Sequence, residues 1–405
     1  MLLSNGALGA IATLSLLVQT PGLAILVGRL MSGLNRPSAL KPRTSRVLDL
    51  ASVTVVVPTL NEAQRLQPCL DGLMRQGYEV REILIVDSQS QDGTPDLVRA
   101  AQSRDPRLRL VEDDLLPPGW VGRPWALHTG FRHSSPESTW ILGLDADTLP
   151  QPGLVASLVQ TAQQDHLDIL SLSPRFVLKF PGEWWLQPSL LMTLIYRFGA
   201  SKIVEPEPAR ILANGQCLLI RRSLLEEING YCSAQTSFCD DVTLVRHGAR
   251  WGARVSFRDG SPVLKVRMYE GARETWREWG RSLDLKDATA TAQLWGDLWF
   301  LWAVQGFPLL GTIFFGLAVM VVPEPFPTLI WALGLNGLLL GIRWLMTAAI
   351  APVYDWQMGQ GKGSFSGLFW LSPLADSLSV WRITLSSFQR PNQWRGRVYG
   401  RSPEF

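Results

Sequence analysis

The 405-residue sequence predicts an α/β fold, a Rossmann-like and mostly parallel sheet with an N-terminal transmembrane anchor and a C-terminal transmembrane helical hairpin. Three observations carry that prediction. The chain has no charged side chain from Met1 to Gly28. Its hydrophobic period switches repeatedly between strand and helix values from Ser52 to about Arg267. Two further uncharged stretches, residues 298–322 and 325–342, lie near the C-terminus, separated by a Pro-Glu-Pro turn.

The anchor, residues 1–30, is rich in Leu, Ala and Val and exceeds the roughly 20 apolar residues a bilayer requires. No basic segment precedes its apolar core, so a cleaved signal peptide fits poorly. Pro21 is a point where it can kink. Residues 31–51 form a basic, proline-bearing linker, "NRPSALKPRTSRVL" at its centre. Arg29, Arg36, Lys41, Arg43 and Arg46 all follow the apolar run and none precedes it, which places the central region in the cytoplasm.

The central region spans residues 52–290. "VTVVVP" at 53–58 is a β-branched run typical of a strand buried on both faces. Helical spacing follows over 61–75, then a second buried strand, "EILIVD", at 82–87. A helix begins at Pro95, a third strand covers 107–112, and a helix covers 125–131. "TWILGLD" at 139–145 is the next strand; a helix at 152–163 and "LDILSL" at 167–172 continue the alternation. Such alternation gives a doubly wound sheet.

The hairpin occupies residues 297–351, with Arg343 either snorkelling or facing protein. Residues 352–405 contain an interfacial segment around 366–386, bearing Pro373 and Asp376, and a basic cytoplasmic tail. Lys362, Arg390, Arg395, Arg397 and Arg401 return the chain to the side of the linker, so an even number of C-terminal crossings is expected. Residues 180–204 are apolar yet punctuated by charge, and residues 273–288 are a second, amphipathic candidate that leads into the hairpin. Trp184, Trp185 and Tyr196 in the first suit the headgroup zone, although a core helix fits the same pattern.

A formal net charge of +3 does not call for a nucleic-acid partner. The four cysteines show no metal-ligand spacing and read as reduced thiols. Neither GxGxxG nor a Walker A sequence is present to cradle phosphates.

Acids at the strand ends point to chemistry instead. The first strand runs into Thr59-Leu-Asn-Glu62, the second ends on Asp87, and a later one ends on Asp145-Ala-Asp147. Taken alone, Asp-x-Asp also fits a strand running into a surface turn. Three acidic clusters on one edge of a parallel sheet converge on one crevice. There Asp145 and Asp147 suit a Mg²⁺ or Mn²⁺ ion bridging diphosphate oxygens, and Asp87 suits a base N–H. Cys239-Asp240-Asp241 opens a helix. The two acids there either favour the helix N-terminus or supply the general base that a transferase needs.

The ordered set "VVVPTLNEAQRL", "ILIVDSQSQDGT", "LPPGWVGRPWALHTG", "LDADT", "NGQCLLIRR" and "DDVTLVRHGARWG" resembles family 2 glycosyltransferases of the GT-A fold over residues 52–258. The resemblance implies inverting transfer from a nucleotide-sugar, UDP- or GDP-linked. It implies donor contacts from Pro58, Glu62, Asp87, Arg123 and Asp145, metal contacts from Asp145 and Asp147, and catalysis by Asp241 beside Asp240. Three positions depart from the common pattern: Asp240 for glutamate, His128 for asparagine and Arg123 for lysine, the last keeping its charge. The "PPGWVGRPWA" segment, the single anchor, the hairpin and the "WRGRVY" ending are similar to carotenoid 2'-O-glycosyltransferases of the myxol glycoside type, which implies a carotenoid or other lipid acceptor. Arg277-Glu-Trp-Gly-Arg281 does not match the Gln-x-x-Arg-Trp signature of processive synthases, so single transfer is favoured over a β-glycan polymerase. Other acceptors left open are hopanoids, polyprenyl phosphates and sphingoid bases. Intact Asp145, Asp147 and Asp241 argue against a non-catalytic scaffold.

Overall fold

The computed structural model describes residues 4–199, 204–280, 283–357, 365–389, 393–394 and 397–398. Lys202, Arg281, Lys362, Arg390, Arg395 and Arg401 lie outside them. The chain forms two compact units.

One unit comprises residues 36–177 and 201–268 with the C-terminal end. Among the described residues its strands include β1 (Val53–Thr59), β2 (Val80–Asp87), β3 (Leu108–Glu112), β4 (Trp140–Leu144), β5 (Thr148–Pro150), β6 (Ile169–Ser173), β7 (Arg175–Phe176), β8 (Cys217–Arg221), β9 (Val255–Asp259) and β10 (Leu264–Val266), with a two-residue pair, Gln393–Trp394 and Arg397–Val398, near the C-terminus. Seven make one sheet in the order β3-β2-β1-β4-β8-β6-β9. All neighbours are parallel except β8, which runs antiparallel to both β4 and β6. Every residue of β1 is buried, as its β-branched run requires. The register pairs Thr59 with Asp87 and Asp87 with Glu112, so these strand ends share one edge. Residues 36–51, expected as a linker, pack onto this unit, with the Leu40 N–H bonded to the Asp259 carbonyl.

The predicted strands are present. β5, β7 and β10 are a second, three-stranded sheet that the sequence did not announce, because two or three residues carry too little periodicity. The helix expected over 61–75 begins only at Leu66. Asn61 instead adopts φ +55°. Its N–H donates to Ser90 Oγ, the Glu62 N–H to Thr94 Oγ1, and the Ala63 N–H to Asp92 Oδ2. Side chains of the neighbouring loop thus take the donors a first helical turn would leave open.

The Gly122–His133 helix lies on β1 and β2. A Cβ at Gly130 would sit 2.3 Å from Val56 Cγ1. Val56 is fully buried, so Gly130→Ala is expected to destabilise the unit by about 1–3 kcal/mol through overpacking, read as a lower melting temperature.

The other unit comprises residues 1–35, 178–200 and 269–390. Among the described residues, two of its helices are long and apolar enough to cross a membrane: Asn5–Met31, continuous through Pro21, and Pro327–Val353. The first arm of the expected hairpin is not one straight helix. Thr291–Gly306 and Pro308–Val321 meet at a 49° bend. Pro308 has no N–H to continue the ladder, and the Phe307 N–H reaches back five residues to the Trp302 carbonyl.

Of the two readings left open for residues 180–204, the core helix is the one found over their described part. The Pro181–Phe198 helix is a core element of this unit, with Glu183, Trp184, Tyr196 and Arg197 all buried. Arg197 pairs with Asp297 at 3.1 Å and donates to the Leu283 and Asp284 carbonyls. Burial with satisfied partners explains why charge punctuates an apolar helix. Residues 273–288 are not one amphipathic helix either. Gly271–Glu274 gives way to a wider turn, Thr275–Trp279, and Leu285 adopts φ +56° before the short Lys286–Ala288 turn. The weak segment near 366–386 resolves into Gly367–Trp370, Ser372–Ala375 and the Asp376–Phe388 helix. Arg343 faces protein, paired with Asp376 at 2.8 Å.

Candidate active site

β4 ends at Leu144, and the chain turns at once. The Thr148 N–H and hydroxyl both donate to the Asp145 carbonyl, at 3.2 and 2.7 Å, which makes Asp145–Thr148 a closed turn. Cys69 lies buried beneath it. Burial first, then the charges of Asp147, Asp145 and Glu62, push the Cys69 thiol up to about 12. Glu62, Asp145 and Asp147, from two of the three strand-end clusters, thus lie near enough to bear on one thiol. Asp147 is 8% exposed and Glu62 5%.

Arg123 stands in the first turn of the Gly122–His133 helix and connects acids distant in sequence. Its Nε and Nη2 donate to Asp145 Oδ1 at 3.0 and 2.8 Å, its Nη2 donates to the Gly215 carbonyl at 2.8 Å, and its Nη1 donates to Asp240. Burial opposes its charge, but Asp145, Asp240 and Asp241 outweigh that and raise its pKa. Arg123 is a fixed cation.

Asp240 and Asp241 open the Asp240–Arg250 helix as predicted. Burial pushes the Asp240 carboxyl up to about 7, against the pull of Arg123 and with help from the charges of Asp241 and Asp145. Asp241 is raised in the same direction by burial, offset by Arg123 and by two backbone donors. Those donors are the Gly215 N–H to Oδ2 at 2.6 Å and the Val242 N–H to Oδ1 at 2.8 Å. Two carboxylates, Asp145 and Asp240, bond the one guanidinium and a third, Asp241, stands beside it, a surplus of acid that a further cation would relieve.

Asp87 is in a different situation. It is 1% exposed, and its oxygens accept from the Thr59 hydroxyl, the Ser90 hydroxyl and the Ser90 N–H. Here it fastens the loop that also clasps Asn61. Pro58, buried at the end of β1, pairs in register with Val86. His128 accepts from the Tyr231 N–H at 3.3 Å and packs against Trp120 and Trp125, a bracing role for the residue that departs from the family pattern.

Two residues escaped the sequence reading. Asp113, just past β3, accepts from the Ser88 hydroxyl at 2.6 Å and adds a further acid at the same edge. The signal was there in "VEDD" at the end of the third strand. Gly215 was legible only as part of a motif. Among the described residues, no three His, Cys, Asp or Glu side chains gather into a metal-ligand set.

Comparison with known proteins bears on the family and the fold. Residues 54–229 match the sequence model of Glycosyl transferase family 2. The 4,4'-diaponeurosporenoate glycosyltransferase of Staphylococcus haemolyticus is 25% identical over 271 residues, 66% of this chain and 70% of the relative. Glycosyltransferase AglE of Haloferax volcanii is 29% identical over 129 residues, 31% of this chain and 40% of the relative. Among solved structures, a mannosyltransferase from Pyrobaculum calidifontis, in complex with GDP-Man and Mn²⁺, superposes with a TM-score of 0.50 at 20% identity, covering 94% of this chain and 99% of its own. The chain thus carries a family 2 glycosyltransferase domain on a GT-A-like fold, and it is a glycosyltransferase.

Proposed function

We infer that the chain transfers one sugar, with inversion, from a UDP- or GDP-linked donor to a hydroxyl of a membrane-embedded lipid, a carotenoid taking the sugar at its 2'-oxygen. The observation that carries this reading is the joining of Arg123, Asp145 and Asp240 into one charged group, with Asp241 beside it, on a chain that also has membrane-length apolar helices. The relative named for 4,4'-diaponeurosporenoate supports a carotenoid-type acceptor. Arginine and lysine residues following the first apolar helix support a cytoplasmic catalytic unit.

Donor binding falls to the crevice at the strand ends. Glu62 and Asp87 flank the nucleoside, and Arg123 supplies fixed positive charge beside the diphosphate. Asp145 and Asp147 would hold Mg²⁺ or Mn²⁺, since two carboxylates plus phosphate oxygens are the usual set for such an ion. The surplus acid around Arg123 fits that cation, and when bound it offsets charge developing on the leaving diphosphate. Asp241 takes the proton of the acceptor hydroxyl as that oxygen attacks the anomeric carbon from the face opposite the diphosphate.

A second reading has one observation in its favour. The staphylococcal relative is named for a carboxylate acceptor. A carboxylate is already ionised and needs no base, so the two acceptors differ in their demand on Asp241.

Lipid and pigment profiling of a host lacking this chain tests the acceptor, with transfer by the purified protein measured with and without EDTA. Loss of a glycosylated carotenoid with accumulation of its aglycone, and EDTA-sensitive transfer, are expected. Unchanged pigments with loss of another glycolipid overturn the acceptor, and full activity in EDTA overturns the metal.

The site also fixes a pH dependence. Asp241 must be ionised to act, and burial holds its pKa above the ordinary carboxylate value of 3.8. Activity therefore rises with pH through a midpoint above that value. Arg123 lowers the Asp241 pKa, so Arg123→Gln is expected to move the acid limb of kcat/KM to higher pH. A limb unmoved by that change contradicts the assignment.

A further inference from the structure

The tripeptide Asn214-Gly215-Gln216, just before β8, touches the Asp241 carboxylate, the Arg123 guanidinium and the Asp145 backbone. The Gly215 carbonyl accepts from Arg123 Nη2 at 2.8 Å, and the Gly215 N–H donates to Asp241 Oδ2 at 2.6 Å. The Gln216 carbonyl accepts from the Asp145 N–H at 3.3 Å. Asp240 is reached through the same guanidinium that Gly215 holds. One glycine thus lies between the cation that contacts Asp145 and Asp240 and the residue proposed as base.

The tripeptide is itself fastened. The Asn214 N–H donates to Ser171 Oγ at 2.8 Å, Asn214 Nδ2 to the Leu172 carbonyl at 3.2 Å, and the Gln216 N–H back to Asn214 Oδ1 at 3.1 Å. Ser171 and Leu172 belong to β6, so the central sheet supports the turn. A side chain at 215 has no room. Its Cβ would meet Arg123 Nη2 at 2.5 Å, Cζ at 2.9 Å and Nη1 at 3.0 Å. Arg123 cannot retreat without breaking its bonds to Asp145 and Asp240.

The geometry points to Gly215 as a positioning residue, whose peptide sets the Asp241 carboxylate with its N–H and the Arg123 fork with its carbonyl. Glycine is required there for the approach of the guanidinium. The requirement comes from contact distance, since the Gly215 φ is not among the positive values. The inference rests on the transfer reading given above.

The test uses the full-length chain in lipid nanodiscs, with kcat and donor KM measured for wild type, Gly215→Ala, Arg123→Lys and the double variant. Gly215→Ala is expected to lower kcat by roughly 10²-fold, the cost of misplacing a reacting group by about 1 Å. The double variant is expected to be no worse than Arg123→Lys alone, because the shorter, unforked side chain leaves space for the new methyl. A purely structural defect would instead multiply with Arg123→Lys. A Gly215→Ala enzyme with wild-type kcat, or effects of the two changes that multiply, overturns the inference. If Gly215→Ala does not fold, Asn214→Ala serves: it unfastens the same turn and is expected to lower kcat more than it raises donor KM. Unchanged kcat there also overturns the inference. A wild type that moves sugar to no lipid defeats the transfer reading, whereas a wild type matched by Gly215→Ala defeats only this one.

Discussion

Asp241→Asn is expected to lower kcat by roughly 10²–10⁴-fold while the donor still binds. The substitution keeps the shape of the side chain and removes its capacity to take a proton. It also has a structural consequence that must be separated from the chemical one. Both Asp241 oxygens accept from backbone donors, Gly215 on one side and Val242 on the other. Asparagine can accept only through its oxygen, so one N–H faces an NH₂ group, at a cost of about 1–3 kcal/mol if that donor finds no other partner. A lowered melting temperature should therefore accompany the lost rate, with the fold retained. Asp240→Asn behaves differently, since it weakens the ion pair with Arg123 and so disturbs the donor side of the crevice. The acceptor decides how the Asp241→Asn result is read. A hydroxyl acceptor makes the base indispensable, whereas a carboxylate acceptor leaves the rate within a small factor of wild type. Full transfer to a hydroxyl by the Asn variant would remove Asp241 from the mechanism.

Much of the catalytic unit was legible because its strands are buried on both faces and so read as unbroken β-branched runs. β1 and β2 are the clearest cases, and their final residues fall at the edge where the acids stand. The pair Asp240-Asp241 was legible as a helix start, and it is one. What sequence pattern cannot carry is pairing across the chain. Nothing in "GRPWA" says that Arg123 reaches Asp240, 117 positions away. Nothing in "CLLIR" says that β8 runs against its neighbours, because a buried strand looks the same in either direction.

The membrane-associated unit was harder for a related reason. In an apolar segment a lone charge reads as an interfacial mark, yet the same charge fits a core if a partner waits elsewhere in the chain. Arg197 found Asp297 and Arg343 found Asp376, so of the readings left open for these segments the interior one holds. The bend at Phe307–Pro308 was signalled by the proline, but composition alone made 298–322 one uniform run.

Asp376→Leu is expected to destabilise the full-length chain more than Arg343→Leu, and the double variant less than either. The two side chains are 2% and 3% exposed. Arg343 donates to both Asp376 oxygens and also bonds Thr347 and Ser372. Asp376 accepts in addition from Ser189 at 2.6 Å and Gln305 at 3.1 Å. Breaking such a buried pair costs about 3–5 kcal/mol, because the remaining charge loses its partner. The two single variants strand different charges. A carboxyl left by Arg343→Leu can take up a proton and keep the Ser189 and Gln305 bonds in part. A guanidinium left by Asp376→Leu cannot shed its charge, and Ser189 and Gln305 lose their acceptor at the same time. Replacing both by leucine removes the charges together, and apolar replacements of buried pairs are often close to neutral. Thermal melts in detergent, with the four proteins side by side, give the order directly. If Arg343→Leu proves as damaging as Asp376→Leu, protonation does not relieve the stranded acid, and the pair is held by its hydrogen-bond geometry rather than by its charge.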